Sequence, residues 1–205
     1  MNRNNRLSLW SILSFPVRII YEIEHDEYVR RAFANNAFDG ALTFLGILMG
    51  NLILDEFNPS AVIKIGLSTC LAIGMSGSFG RFLSERAERK HALRQIEESM
   101  LADLNDSMLA QEGKNKTFMI SFIDGISPAL ALIFPVFPFF LANANFISVN
   151  VSIVLSFTLV LLVLFGLGMF LGKTSEENAF LYGLATVAVG FCTSLIIFLT
   201  SIYLG

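Results

Sequence analysis

Residues 146–171 read FISVNVSIVLSFTLVLLVLFGLGMFL, a stretch without a single charged side chain. At a rise of ~1.5 Å per residue, a helix of that length exceeds the roughly 30 Å of a bilayer's hydrocarbon core. Its apolar residues fall on every side of a helix, which suits lipid or a tight bundle rather than one wet face. Four further stretches of spanning length lie at residues 37–54, 61–83, 118–141 and 179–204, the first reaching back as far as Phe33. Composition agrees. Of the 205 residues 54% are hydrophobic and 15% charged, against roughly 25% charged in an ordinary soluble domain. Mean hydropathy is +0.64. A soluble globular enzyme is excluded as the starting point. Two Cys and two His are too few for a disulfide scaffold or a zinc framework. A net charge of -3 offers no basic footprint for nucleic acid. The chain reads as an all-α integral membrane protein of five transmembrane helices.

The connections set the organisation. Residues 55–60, carrying Asn58-Pro59, form a short turn, as do 142–145 and 172–178. Only the segment 84–116 is long, and it reads as a cytoplasmic helical extension of the second span. Residues 33–205 thus make one membrane domain. Residues 1–32 precede it, and within them Leu9, Trp10, Leu13, Val17 and Ile20 would share one helical face. That face suits an amphipathic helix lying on the membrane surface, or equally a buried packing helix. No small-residue cleavage site follows it, so a signal peptide is not expected. Orientation follows from Lys and Arg. With the N-terminus inside and five spans, thirteen of the fourteen are cytoplasmic, Lys64 being the exception. The C-terminus is then external or lumenal.

Ionisable side chains within a span are expensive and usually functional. Asp39 follows Arg31 by eight residues and Asp124 follows Lys116 by eight, so both lie ~12 Å along their helices from a cytoplasmic cation. Phe38-Asp39-Gly40 matches Ile123-Asp124-Gly125, with Phe33 and Phe118 each six residues upstream. Such a match suggests an internal repeat, as transporters often contain, or chance in a Phe-rich chain. The pair could face one another across a cavity, share protons and exchange them for a divalent cation. Met75 and Ser76 of the second span fall near the same depth and could complete the ligand set, the sulfur favouring a softer ion than magnesium. The other reading makes each Asp a helix N-cap, which requires its span to start later. Arg81, nearer the cytoplasmic end, could instead hold one Asp in a salt bridge.

Three further patterns have competing readings. Gly66, Cys70, Gly74 and Ser78 form a small-residue stripe suited to close helix packing, and Gly46 with Gly50 forms a GxxxG suited to self-association. Pro128, Pro135 and Pro138 remove backbone donors from the third span, so that freed carbonyls either ligate cations or merely accompany a packing kink. In the cytoplasmic segment Glu85, Glu88, His91 and Glu98 could capture a metal, or form a solvated face with Arg86, Arg89, Lys90 and Arg94. An apolar stripe, Leu93, Ile96, Met100, Leu104 and Met108, runs along another face. No P-loop, His-Glu-x-x-His or Gly-x-Ser-x-Gly is present, and an enzyme is not expected.

The pattern resembles the vacuolar iron transporter family. Asp39-Gly40-Ala41-Leu42 is similar to that family's Asn-Asp-Gly-Leu in the first span. Ser76 to Ser84, ending Gly80-Arg81-Phe82-Leu83-Ser84, is similar to its Ser-Met-x-x-Gly-Glu-Tyr-x-Ser. Pro135-Val136-Phe137-Pro138-Phe139 is similar to its Pro-x-x-Pro-aromatic, and Val189-Gly190 with Thr193 sits in a matching final span. Gly77, Arg81 and Phe38 stand where the family has Met, Glu and Asn. The resemblance implies a transporter that moves Fe2+ or Mn2+ out of the cytoplasm, with protons as counter-ion. It also implies a homodimer with its path along the first span and no permanently bound cofactor. The alternative is an assembly or regulatory subunit that keeps the transporter fold without transport.

Overall fold

The computed structural model describes residues 27–53, 57–101, 103 and 107–204. Among them the chain forms five α-helices and no strand: α1 (Glu27–Ile53), α2 (Pro59–Met100), α3 (Met108–Asn143), α4 (Val149–Thr174) and α5 (Ala179–Leu204). All five are long and apolar enough to cross a membrane. The chain is a multi-pass, all-helical membrane protein. The surface helix expected around Leu7–Ile20 lies outside the described residues.

Short-range chemistry sets the helix ends. Asn58 caps α2, its side-chain oxygen accepting from the backbone N–H of Ser60 at 3.0 Å and Ala61 at 3.3 Å. Pro59 follows at the first helical position, where its missing N–H is harmless. Ser148 caps α4, and the Asn178 side chain accepts from the Phe180 N–H at the start of α5. Left-handed residues close three helices: Leu101 after α2, Asn145 after α3 and Glu176 after α4. In the last two cases the next N–H reaches back five residues, Phe146 to the Leu141 carbonyl and Glu177 to that of Gly172. These 6→1 bonds satisfy carbonyls that the ending helix leaves open.

Two boundaries differ from the sequence expectation. α1 begins at Glu27 and α3 at Met108, each about ten residues ahead of its apolar stretch. The polar residues there lower hydropathy without opposing helix, so the helix outruns the span. α2 continues unbroken for 42 residues, which at ~1.5 Å per residue is about twice a bilayer's hydrocarbon core. The expected helical extension of the second span is therefore present as far as Met100, but residues 108–116 belong to α3, so the expected apolar stripe from Leu93 to Met108 does not run along one helix.

The chain divides into two compact units. One contains Gly77–Asp124 and the residues through Phe33. Its core is Val29 and Ala32 of α1 against Met119, Ile120 and Ile123 of α3. The other contains Ala34–Ser76 and Gly125–Gly205. There Ala41, Phe44, Leu45 and Leu48 of α1 pack with Val62 and Cys70 of α2, Leu132 and Phe139 of α3, and Val160 and Leu164 of α4.

Small residues let these helices approach. In the second unit, a Cβ on Gly40 would come within 2.8 Å of the Pro128 backbone, and one on Gly74 would collide with the Gly125 carbonyl. On α4 the buried residues recur every fourth position, Ser152, Ser156, Val160, Leu164, Gly168 and Gly172. Gly168 faces Tyr182 and Gly183 of α5, and Gly172 faces Ala179. Hydroxyls complete the packing. Ser156 donates to the Pro135 carbonyl at 2.7 Å, and the Thr186 hydroxyl lies 2.8 Å from the Leu164 carbonyl. All three prolines of α3 are buried inside a continuous helix.

Candidate functional site

Helix α1 has two faces of opposite character. Ala37, Ala41, Phe44, Leu45 and Leu48 point into the core. On the other side Asn35 and Asp39 are exposed, Thr43 and Gly46 half-buried, and Gly50 exposed. These recur at helical spacing and form one line of polar and small residues. A Cβ on Gly50 would meet nothing within 4 Å. α2 carries a similar line. Ser68, Ala72 and Ser76 are exposed at four-residue spacing, with Met75 64% exposed beside them. Elsewhere the exposed surface is greasy: Ile133, Phe134 and Phe137 on α3, Val154 and Leu162 on α4, Leu195 and Ile196 on α5. The second unit thus exposes two lines, one on α1 carrying a carboxylate and a hydroxyl and one on α2 carrying hydroxyls and a thioether, the latter flanked by exposed Ile65, Leu71 and Phe79.

Asp39 stands twelve residues beyond the start of α1, and Asp124 sixteen beyond the start of α3. Neither caps a helix, and the capping reading is set aside. Their surroundings diverge. Asp39 is exposed, whereas Asp124, in the first unit, is 3% exposed. Arg81 Nε lies 3.5 Å from Asp124 Oδ2, so the arginine neutralises this carboxylate within its own unit. A buried carboxylate left alone would be costly, and the guanidinium removes most of that penalty.

The residues expected to capture a metal beyond the second span do not converge. Glu85 is buried and paired to Arg89, Nε to Oε2 at 3.5 Å. Glu88, His91 and Glu98 are exposed along the helix. Among the described residues no three of His, Cys, Asp and Glu form a group able to hold a metal. The stripe of Gly66, Cys70 and Gly74 is buried, Gly66 lying against Phe44, and its role is packing. A Cβ on Gly46 would meet Ile197 of α5 at ordinary contact distance, while its GxxxG partner Gly50 is open. The carbonyls that the three prolines free are those four residues back, of Asp124, Ala131 and Phe134, while the Pro135 carbonyl accepts from the Ser156 hydroxyl.

Sequence reasoning named Ser76 but missed Asn35 and the two residues that extend its line on α2, Ser68 and Ala72. The signal for the α2 line was its four-residue repeat of small side chains, one position on from a parallel repeat of Leu71, Met75 and Phe79.

No protein-family model matches the chain. It is similar to an uncharacterized protein of Methanocaldococcus jannaschii, at 29% identity over 172 residues, covering 82% of this chain and 86% of that protein.

Proposed function

We propose that the chain is a secondary transporter of a divalent cation, Fe2+ or Mn2+, which works as a homodimer joined along the α1 and α2 face. One observation carries the reading: an exposed carboxylate, Asp39, within a membrane-spanning helix, on a line of small and polar residues. A carboxylate facing lipid is expensive, and small residues at four-residue spacing favour close helix association in membranes. A second copy related by two-fold symmetry would cover the face and bring a second Asp39 near the first. Resemblance to the vacuolar iron transporter family supports the same arrangement.

Such a site has a definite chemistry. Two carboxylates close together in a poorly solvated path cannot both ionise cheaply, so one proton is held between them. A divalent cation supplies the compensating charge and expels that proton, which couples metal entry to proton release. Met75 offers a soft thioether and Ser76 a hydroxyl from the neighbouring helix, a donor set that favours iron or manganese over magnesium. Asp124 has a different part, holding Arg81 in the first unit. With the N-terminus cytoplasmic, as the Lys and Arg distribution favours, export from the cytoplasm is the direction.

The second reading, a regulatory or assembly subunit without transport, is favoured by Arg81. A fixed cation neutralising Asp124 is what a chain without a second metal-binding carboxylate would keep. Flux of Fe2+, Mn2+, Zn2+ and Co2+ into proteoliposomes separates the two. The proposal expects uptake of at least one ion with counter-movement of protons, and the alternative expects none.

A further inference from the structure

Within the first unit, a cavity of about 700 Å³ lies between the cytoplasmic extension of α2 and the first turns of α3. On α2 its lining follows one helix face, Phe82, Arg86, Arg89, Leu93 and Ile96, with Lys90 beside it. From α3 come Lys114 and Thr117, with Gly113 beside the Arg89 side chain. Four cations therefore line the space, and among the described lining residues there is no carboxylate. Arg86, Lys90 and Lys114 make no ion pair among the described residues. The Thr117 side chain is buried, and its hydroxyl has no hydrogen-bond partner among them. Arg89 Nε, although near Glu85, likewise forms no hydrogen bond.

The polar part of this lining is cationic or a hydroxyl, and the remainder, Phe82, Leu93 and Ile96, is hydrocarbon. We propose that the cavity binds the headgroup of an anionic phospholipid from the adjacent leaflet. Depth favours a lipid over a soluble anion. The spanning part of α3 begins at Lys116, and the apolar stretch of α2 ends at Leu83, so Phe82 and Thr117 mark the edge of the hydrocarbon. Arg86 lies one turn outward from Phe82, and Lys114 three residues outward from Thr117. Both stand ~5 Å beyond that edge, the level of lipid phosphates. Arginine's fork suits phosphate oxygens, and basic pockets beside spanning helices on the cytoplasmic side attract anionic headgroups. Phe82, at that edge, would meet the glycerol and upper acyl carbons, while Leu93 and Ile96 lie ~10 and ~15 Å outward of Arg86 and wall the outer part of the cavity. This site is independent of the cation path and stands or falls separately.

The test is lipid retention by the full chain, purified in detergent and measured by native mass spectrometry. The added probes are phosphatidylglycerol, phosphatidylcholine or inorganic phosphate. The proposal expects phosphatidylglycerol to be retained in preference to phosphatidylcholine and not to be displaced by equimolar inorganic phosphate. Arg86→Gln with Lys114→Gln should weaken retention roughly thirtyfold, the effect of two cations near a membrane surface. Lys64→Gln, away from the cavity, should leave it unchanged. Thr117→Val, which keeps the shape and removes the hydroxyl, should weaken it about fivefold, and it carries the test if the double variant does not fold. Equal retention of phosphatidylcholine, or wild-type preference in folded Thr117→Val and Arg86→Gln variants, would overturn the proposal. Displacement by equimolar phosphate would overturn it in favour of a soluble anion.

Discussion

Asp39 and Asp124 share a local sequence, an apolar residue before and a glycine after, yet they live in different surroundings. Asp39 is exposed on a line of small and polar residues, while Asp124 is 3% exposed and 3.5 Å from Arg81. Helix rise gives each an expected depth from its flanking cation, and distance along the helix is legible in sequence. Rotation was not, because a lipid-facing side and a packed side are both apolar and leave no periodic contrast. The difference predicts separate phenotypes. Asp124→Asn should lower stability by roughly 1–3 kcal/mol, since it leaves a partly buried guanidinium without its counter-charge. Transport per folded molecule should persist. Thermal melts in detergent, paired with flux normalised to folded protein, check this. An Asp124→Asn variant with an unchanged melt and no flux would place Asp124 back in the path. Arg81→Gln should destabilise similarly. The double variant should lose less than the two effects added together, the mark of a coupled pair.

At the scale of elements, the apolar runs announced all five helices, and the turns at Asn58-Pro59, 142–145 and 172–178 divided them where the structure does. Starts of α1 and α3 were less legible, because polar residues such as Arg30 and Lys114 lower hydropathy without opposing helix. Prolines 128, 135 and 138 did not break α3. Buried neighbours, including the Ser156 hydroxyl on the Pro135 carbonyl, support the helix around them. Contact geometry predicts how glycines differ. Gly74→Ala would drive a methyl into the Gly125 carbonyl, and Gly40→Ala would place one 2.8 Å from the Pro128 backbone. Each should destabilise by about 1–3 kcal/mol, the usual range for overpacking. Gly50→Ala meets open space and should leave the monomer's melt unchanged while weakening self-association. Melting temperature and oligomer mass, measured on the same samples, distinguish these outcomes.

For the whole molecule, two arrangements await measurement. Reporter fusions at Gly205 should read as non-cytoplasmic, since thirteen of the fourteen Lys and Arg then lie inside. A cytoplasmic reading would reverse the direction assigned to transport. The proposed homodimer predicts a specific cross-link. With Cys70 and Cys192 replaced, Ala72→Cys on the exposed small line of α2 should form a disulfide between copies in native membranes. Ile133→Cys, 62% exposed on the greasy side of α3, should not. Cross-linking only at Ile133 would move the interface to the other face and leave Asp39 uncovered. The central claim is that a divalent cation passes Asp39, and flux through Asp39→Asn tests it most directly. In proteoliposomes the folded variant should lose Mn2+ or Fe2+ uptake and the accompanying proton movement, at an unchanged melting temperature. Wild-type rates of metal and proton exchange in that variant would contradict the account.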